Sequence, residues 1–214
     1  MNNVQVNARP RETAMATLYD LKPAFQARLR PMVQALAARG VTANQVTLAA
    51  AALSIATAAM IVAFPLSRTV YLLVPLVLFL RMALNAVDGM LAREHGQASR
   101  LGMYLNELCD IVSDTALILA FAAVPGFGVW GVVAFAVCAL MSEYAGVLGV
   151  AAGIGRNYAG PFGKSDRAFA LGLVAVLLAA QFLIDTIAPL VFPALALLAL
   201  ITTVTRVAAG VRAA

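Results

Sequence analysis

The chain has 214 residues, 63% of them apolar and only 12% charged, with a formal net charge of +5. The length would suit one soluble domain, but the composition weighs against that class and for a membrane protein. Lys and Arg sit beside apolar runs instead of forming a soluble basic patch, which excludes nucleic acid as the expected partner.

Residues 1–10 read as disordered, and the first 40 residues carry charges throughout, without the apolar core of a cleavable signal peptide. From Arg11 to Arg39, Leu18, Phe25, Leu29, Val33 and Leu36 are interspersed with Lys22, Arg28, Arg30 and Arg39. This pattern predicts one or two amphipathic helices at the membrane interface, broken near Pro23 and Pro31. The expected division is a cytoplasmic, interfacial arm over 1–40 and a six-helix transmembrane domain over 41–214.

A bilayer core of about 30 Å takes about 20 apolar residues as a helix. Lipid cannot satisfy exposed backbone groups, and the alternation of barrel strands is absent, so an all-α, polytopic fold is expected. The runs are Gln45 to Leu66, Thr69 to Arg93, Arg100 to Val124, Val129 to Gly153, Ala168 to Ile184, and Pro189 to about Arg206. Cys109 and Cys138 lie inside apolar runs without a CxxC spacing and read as packing residues.

Six spans put both termini on one side. Arg93, Arg100, Arg156, Lys164, Arg167, Arg206 and Arg212 then fall on the side of the basic arm, and the opposite turns hold only Arg68. By the positive-inside rule that side is cytoplasmic. No internal repeat of the transporter kind is visible.

The second and third spans hold Arg81, Asp88, Arg93, Glu107, Asp110 and Asp114. Each charge near a bilayer centre costs about 2.5 to 3.5 kcal/mol on insertion scales, so these groups require compensation. Salt bridges to Arg81 or Arg93 are the bland explanation. The sharper one is a site: Asn85 and Asp88 share one face of the second span, and Gly102, Asn106 and Asp110 share one face of the third. Two such faces opposed give the oxygen-rich pocket that magnesium prefers. Gly89, Ala92 and Gly102 would keep it open for a bulky nucleotide, and Arg93 offers a fork for phosphate or base.

The segment from Asn85 through Asp88, Gly89, Ala92, Arg93, Gly102 and Asn106 to Asp110 resembles the CDP-alcohol phosphotransferase signature, D-x2-D-G-x2-A-R-x8-G-x3-D-x3-D. Every fixed position matches except the first and third aspartates, here Asn85 and Asn106. The stretch from Thr42 to Thr47 is similar to the family's P-N-x-x-T element, with Ala43 in place of proline. Asn44 and Thr47 there read equally as nucleotide-side residues or as helix caps.

The resemblance implies an enzyme of phospholipid biosynthesis in a bacterial-type inner membrane, with its active site cytoplasmic. It would use Mg2+ or Mn2+ to move a phosphatidyl group from CDP-diacylglycerol to an alcohol, releasing CMP, and act as a homodimer. By position, Asn85, Asp88 and Asn106 become metal ligands and Asp110 the base. Two asparagines remove two negative charges. Glu107 and Asp114 fall in the same sector of about 100° as Asn106 and Asp110, so either could restore charge at the metal.

Arg156, Lys164 and Arg167, between the fourth and fifth spans, could hold a phosphate on the acceptor, which favours glycerol 3-phosphate. Topology alone would also explain these charges. Glu143, without a basic neighbour at helical spacing, could approach the active groove, pair with Arg81 or be neutral. A binding-only relative and an ion-coupled transporter are the alternative classes.

Overall fold

The computed structural model describes residues 18–182 and 186–213, and helix is the only regular secondary structure there. The expectation of disorder over 1–10 lies outside the described residues. Helix α1 spans Leu18–Ala38 and α2 Ala43–Ala63; α3 is Arg68–Glu94 and α4 Arg100–Ala120, with a 3-10 turn at Phe121–Ala123. Then come α5 (Val129–Ala151), α6 (Lys164–Ala179) and α7 (Ala188–Arg212).

Local chemistry sets these boundaries. Helix α1 runs unbroken through Pro23 and Pro31, against the expected break: each ring removes one N–H donor, and the helix resumes beyond it. It ends where Gly40 takes a left-handed conformation (φ 75°) and Val41 N–H reaches back to the Leu36 carbonyl, the closing pattern of a Schellman motif. Thr42 then caps α2. Its hydroxyl accepts from Gln45 N–H, and the Gln45 side chain accepts from Thr42 N–H. Ser67 and Ser99 cap α3 and α4 by the first of these bonds alone, accepting from Val70 N–H and Gly102 N–H.

Helix α6 begins at Lys164, four residues before the expected start at Ala168, because the Asp166 carboxylate accepts the Gly163 N–H at 2.9 Å. It stops at Ala179, short of Ile184. Gln181 adopts φ 59°, and Phe182 N–H returns to the Leu177 carbonyl at 2.9 Å.

Four helices, α2, α3, α5 and α7, are long and apolar enough to cross a membrane. Helix α4 carries Arg100, Glu107, Asp110 and Asp114, and α6 has 16 residues, so neither qualifies by length and composition alone. Hydroxyls within the apolar helices bond their own backbone: Ser54, Thr57, Thr202 and Thr203 each donate to the carbonyl four residues earlier.

Helix α2 packs on α3 and α4, α3 on α6, α4 on α5, and α5 along α7. One core lies at the end where α5 and α7 begin, around Phe121, Phe127, Phe135 and Phe192; the Phe127 and Phe192 rings meet edge to face at 4.8 Å. At the other end α1 docks on α2 and α3 through Val33, Val46, Val87, Met90 and Leu91. Between them lies a buried polar layer.

Candidate active site

The layer begins with Asp88. It is 3% exposed on α3, and Thr47 of α2 donates its hydroxyl to Asp88 Oδ2 at 2.7 Å. Thr47 therefore lies inside α2 and bonds the site, and the capping role belongs to Thr42. Asn44 is no cap either. Its Oδ1 stands 2.9 Å from the point where a Cβ on Gly102 would sit, so the bare glycine leaves room for the Asn44 amide between α2 and α4.

Asp110, on α4, is held from three directions. Arg81 Nη2 and Asn85 Nδ2, both on α3, donate to Asp110 Oδ1 at 3.2 and 3.1 Å, and Lys164 of α6 pairs with Oδ2. Asn85 thus presents its amide nitrogen to a carboxylate, and its own Oδ1 is left for another partner. Arg93 is exposed and folds its guanidinium over Gly89, whose missing side chain leaves that space open. Ala92 packs half-buried beside the α1 contact, and Asn106 is half-buried one turn before Asp110.

The remaining acids meet arginines. Glu107 pairs with Arg156, and Asp114 pairs with Arg81 and, at 3.5 Å, with Arg167. Glu143 of α5 receives Arg156 and Arg167 at 2.9 Å each and Arg206 of α7 at 3.3 Å. Arg167 is 3% exposed and also donates to the Ser142 hydroxyl at 3.0 Å. Removing one partner from such a buried set costs about 3–5 kcal/mol, because the other charge stays buried.

Glu107 and Asp114 therefore share a region with Asp110, as expected, but their carboxylates face Arg156, Arg81 and Arg167. Of the three expected acceptor cations, Arg167 is buried and engaged; Arg156 and Lys164 keep side-chain exposures of 25% and 31%. Arg206 and Ser142 were not foreseen. The signal for Arg206 was its place four residues after Thr202 inside an apolar run, where a charge needs a buried partner.

Beside the polar layer, a groove of about 570 Å³ opens between α3 and α6. Its walls are apolar along Pro75, Leu78, Phe79 and Met82 on one side and Ala168, Phe169, Gly172, Leu173 and Val176 on the other. Arg81, Asn85, Asp114 and Lys164 stand at its polar end. Nothing in the sequence pattern pointed to this groove, because it needs two helices remote in the chain.

The sequence model of the family described as CDP-alcohol phosphatidyltransferase matches residues 40–208. The chain belongs to the CDP-alcohol phosphatidyltransferase family. Membership makes it a phosphatidyltransferase. Inner membrane protein YnbA of Escherichia coli (strain K12) is 50% identical over 159 residues, covering 73% of this chain and 78% of YnbA.

The fold is similar to that of Mycobacterium tuberculosis phosphatidylinositol phosphate synthase, PgsA1, at 22% identity. The structure with CDP-DAG bound superposes with a TM-score of 0.67 over 84% of this chain and 92% of that one. The structure of PgsA1 in complex with manganese and citrate gives 0.66 over 84% and 87%.

The residues present suit one divalent cation of the kind the family implies. Asp88 is a buried carboxylate that no Lys or Arg among the described residues contacts, and the side-chain oxygens of Asn85, on the same helix, and of Asn106, on α4, are neutral hard donors. No three carboxylate, imidazole or thiolate groups converge among the described residues.

Proposed function

We propose that the chain transfers the phosphatidyl group of CDP-diacylglycerol to a small alcohol, releasing CMP, with glycerol 3-phosphate as the acceptor. The observation that carries this is the groove between α3 and α6. Its apolar walls suit acyl chains, and its polar end at Arg81, Asn85, Asp114 and Lys164 suits a diphosphate. A lipid donor needs both at one site, open from the side.

In this proposal the acceptor hydroxyl oxygen forms a bond to the lipid-side phosphorus. The bond from that phosphorus to the bridging oxygen breaks, CMP leaves with the electron pair, and Asp110 takes the hydroxyl proton. Lys164 lies at the groove and on Asp110, and so can neutralise charge on the diphosphate. A bound Mg2+ or Mn2+ would add charge neutralisation at the diphosphate, held by Asp88 with Asn85 and Asn106. Gly89, Ala92, Gly102, Asn44 and Arg93 border the space left for the cytidine.

On the acceptor side, Arg156 and Lys164 are the cations that a phosphate can reach, with Arg167 behind them on Glu143 and Asp114. The engagement of Arg156 and Arg167 with carboxylates favours a second reading, an acceptor without phosphate. The full arrangement proposed is six spans, with α4 and α6 shielded inside the bundle, α1 at the interface, and both termini and the site at the cytoplasmic face of an inner membrane. The protein acts as a homodimer.

The test is CMP release by the purified protein in lipid nanodiscs with CDP-diacylglycerol and Mg2+ or Mn2+. The acceptors are glycerol 3-phosphate, inositol phosphate, serine and a neutral polyol. Release with glycerol 3-phosphate alone is expected. Release only with serine or the polyol would establish the second reading.

A further inference from the structure

Five carboxylates and five cations meet in the polar layer: Asp88, Glu107, Asp110, Asp114 and Glu143 against Arg81, Arg156, Lys164, Arg167 and Arg206. Four of the acids are taken by cations of the chain itself. Asp88 is the exception. Its side-chain partner among the described residues is the Thr47 hydroxyl, although it lies 3% exposed. A buried carboxylate without a counter-charge is costly in a low-dielectric interior, and that cost is offset by a proton or by a bound cation.

Asp110 offers the opposite environment. Oδ1 already accepts from Arg81 and Asn85 and Oδ2 is paired with Lys164, so a metal ion would have to displace ammonium and guanidinium donors to reach it. Asn85 matters most here. An aspartate at that position would face Asp110 across a hydrogen-bond distance, and two carboxylates so close cannot both ionise without a cation between them. An amide donates instead, and removes the requirement.

We infer that this chain holds a single divalent ion, on Asp88, and that Lys164 and Arg81, not a second ion, neutralise Asp110. The transferase proposal supplies only the presence of an ion; the count comes from the pairing pattern. Glu107 and Asp114 then serve the arginines and do not ligate the metal.

The test is Mn2+ binding to the full-length protein in nanodiscs, with CDP-diacylglycerol present and bound manganese counted by electron paramagnetic resonance. One ion per chain is expected. Asp88→Asn, nearly isosteric and still able to accept from Thr47, should weaken Mn2+ binding by at least about tenfold. Asn85→Asp should add a second ion.

Two ions or none on the unmodified protein would overturn the inference, and so would Asp88→Asn binding Mn2+ as tightly as the parent. The count on the unmodified protein stands whether or not the variants fold. CMP release on the same samples separates the two proposals. One ion without turnover defeats the transferase proposal alone, and turnover with two ions defeats this one alone.

Discussion

Thr47 donates its hydroxyl to the buried Asp88 carboxylate at 2.7 Å, and this bond ties the start of α2 to the last third of α3. The same hydroxyl also reaches the Ala43 carbonyl, so it is shared between helix backbone and site. Thr47→Val keeps the shape and deletes the donor. Hydrogen bonds to charged groups contribute about 1.5–3 kcal/mol, and Thr47→Val should destabilise the protein by that order while Thr47→Ser stays near the parent. Thermal unfolding in nanodiscs, followed by circular dichroism, measures the difference.

Glu143 holds Arg156, Arg167 and Arg206 from three different segments, two of them buried to 3% exposure. Glu143→Gln leaves guanidinium groups in the interior without their shared anion. A loss of about 3–5 kcal/mol is expected, against a small effect for an exposed control such as Arg212→Ala. The readout is again the unfolding midpoint. If Glu143→Gln unfolds with the parent, the network is not the structural clamp described above.

Gly102 and Asn44 form a steric pair. Gly102→Ala would place a methyl group 2.9 Å from Asn44 Oδ1, the end of a side chain able to swing aside. Stability should therefore change by less than about 1 kcal/mol, while the displaced amide alters the space assigned to the cytidine. CMP affinity should fall in Gly102→Ala and in Asn44→Ala, and the double variant should lose less than the two effects added. Full additivity in this cycle would show that the two residues act independently.

The groove gives a prediction about chain length. Leu173 lines it on α6 and is 46% exposed, so a larger side chain fits without disturbing the core. Leu173→Trp should raise KM for long-chain CDP-diacylglycerol by about tenfold or more, as expected when a bulky ring fills an apolar site. A short-chain, water-soluble CDP-lipid should be used nearly as well as by the parent. Equal losses with both donors would mean that the groove does not hold the acyl chains.

What the sequence made legible follows from where the information resides. The apolar runs are local, and α2, α3 and α5 lie within three residues of their expected limits, while α7 continues to Arg212, beyond the expected end near Arg206. The signature spacing is also local, and it led to the family. Helix α4 carries the charges that point to function, and the same charges keep it out of the four helices apolar enough to span.

Pairing was legible only in part: the expected salt bridges from Arg81 form, to Asp110 and Asp114, but those of Glu143 do not follow from the sequence. Glu143 has no basic neighbour on its own helix because its three arginines come from the 152–163 connection, α6 and α7, which only folding brings together. The role expected for Glu107 and Asp114 as charge donors to a metal rested on helix periodicity alone. Periodicity locates a face, and what opposes that face is a tertiary fact. Arg156 and Arg167 turned out to oppose it.

The most direct test of the central claim is CMP release from labelled CDP-diacylglycerol by the purified protein, with the parent compared to Asp110→Asn. Asparagine preserves the size of Asp110 and removes its ability to accept a proton. The account predicts metal-dependent CMP release by the parent with an alcohol acceptor, and a fall of at least about a hundredfold in Asp110→Asn. Undiminished release by Asp110→Asn, or no release by the parent with any acceptor, would contradict it.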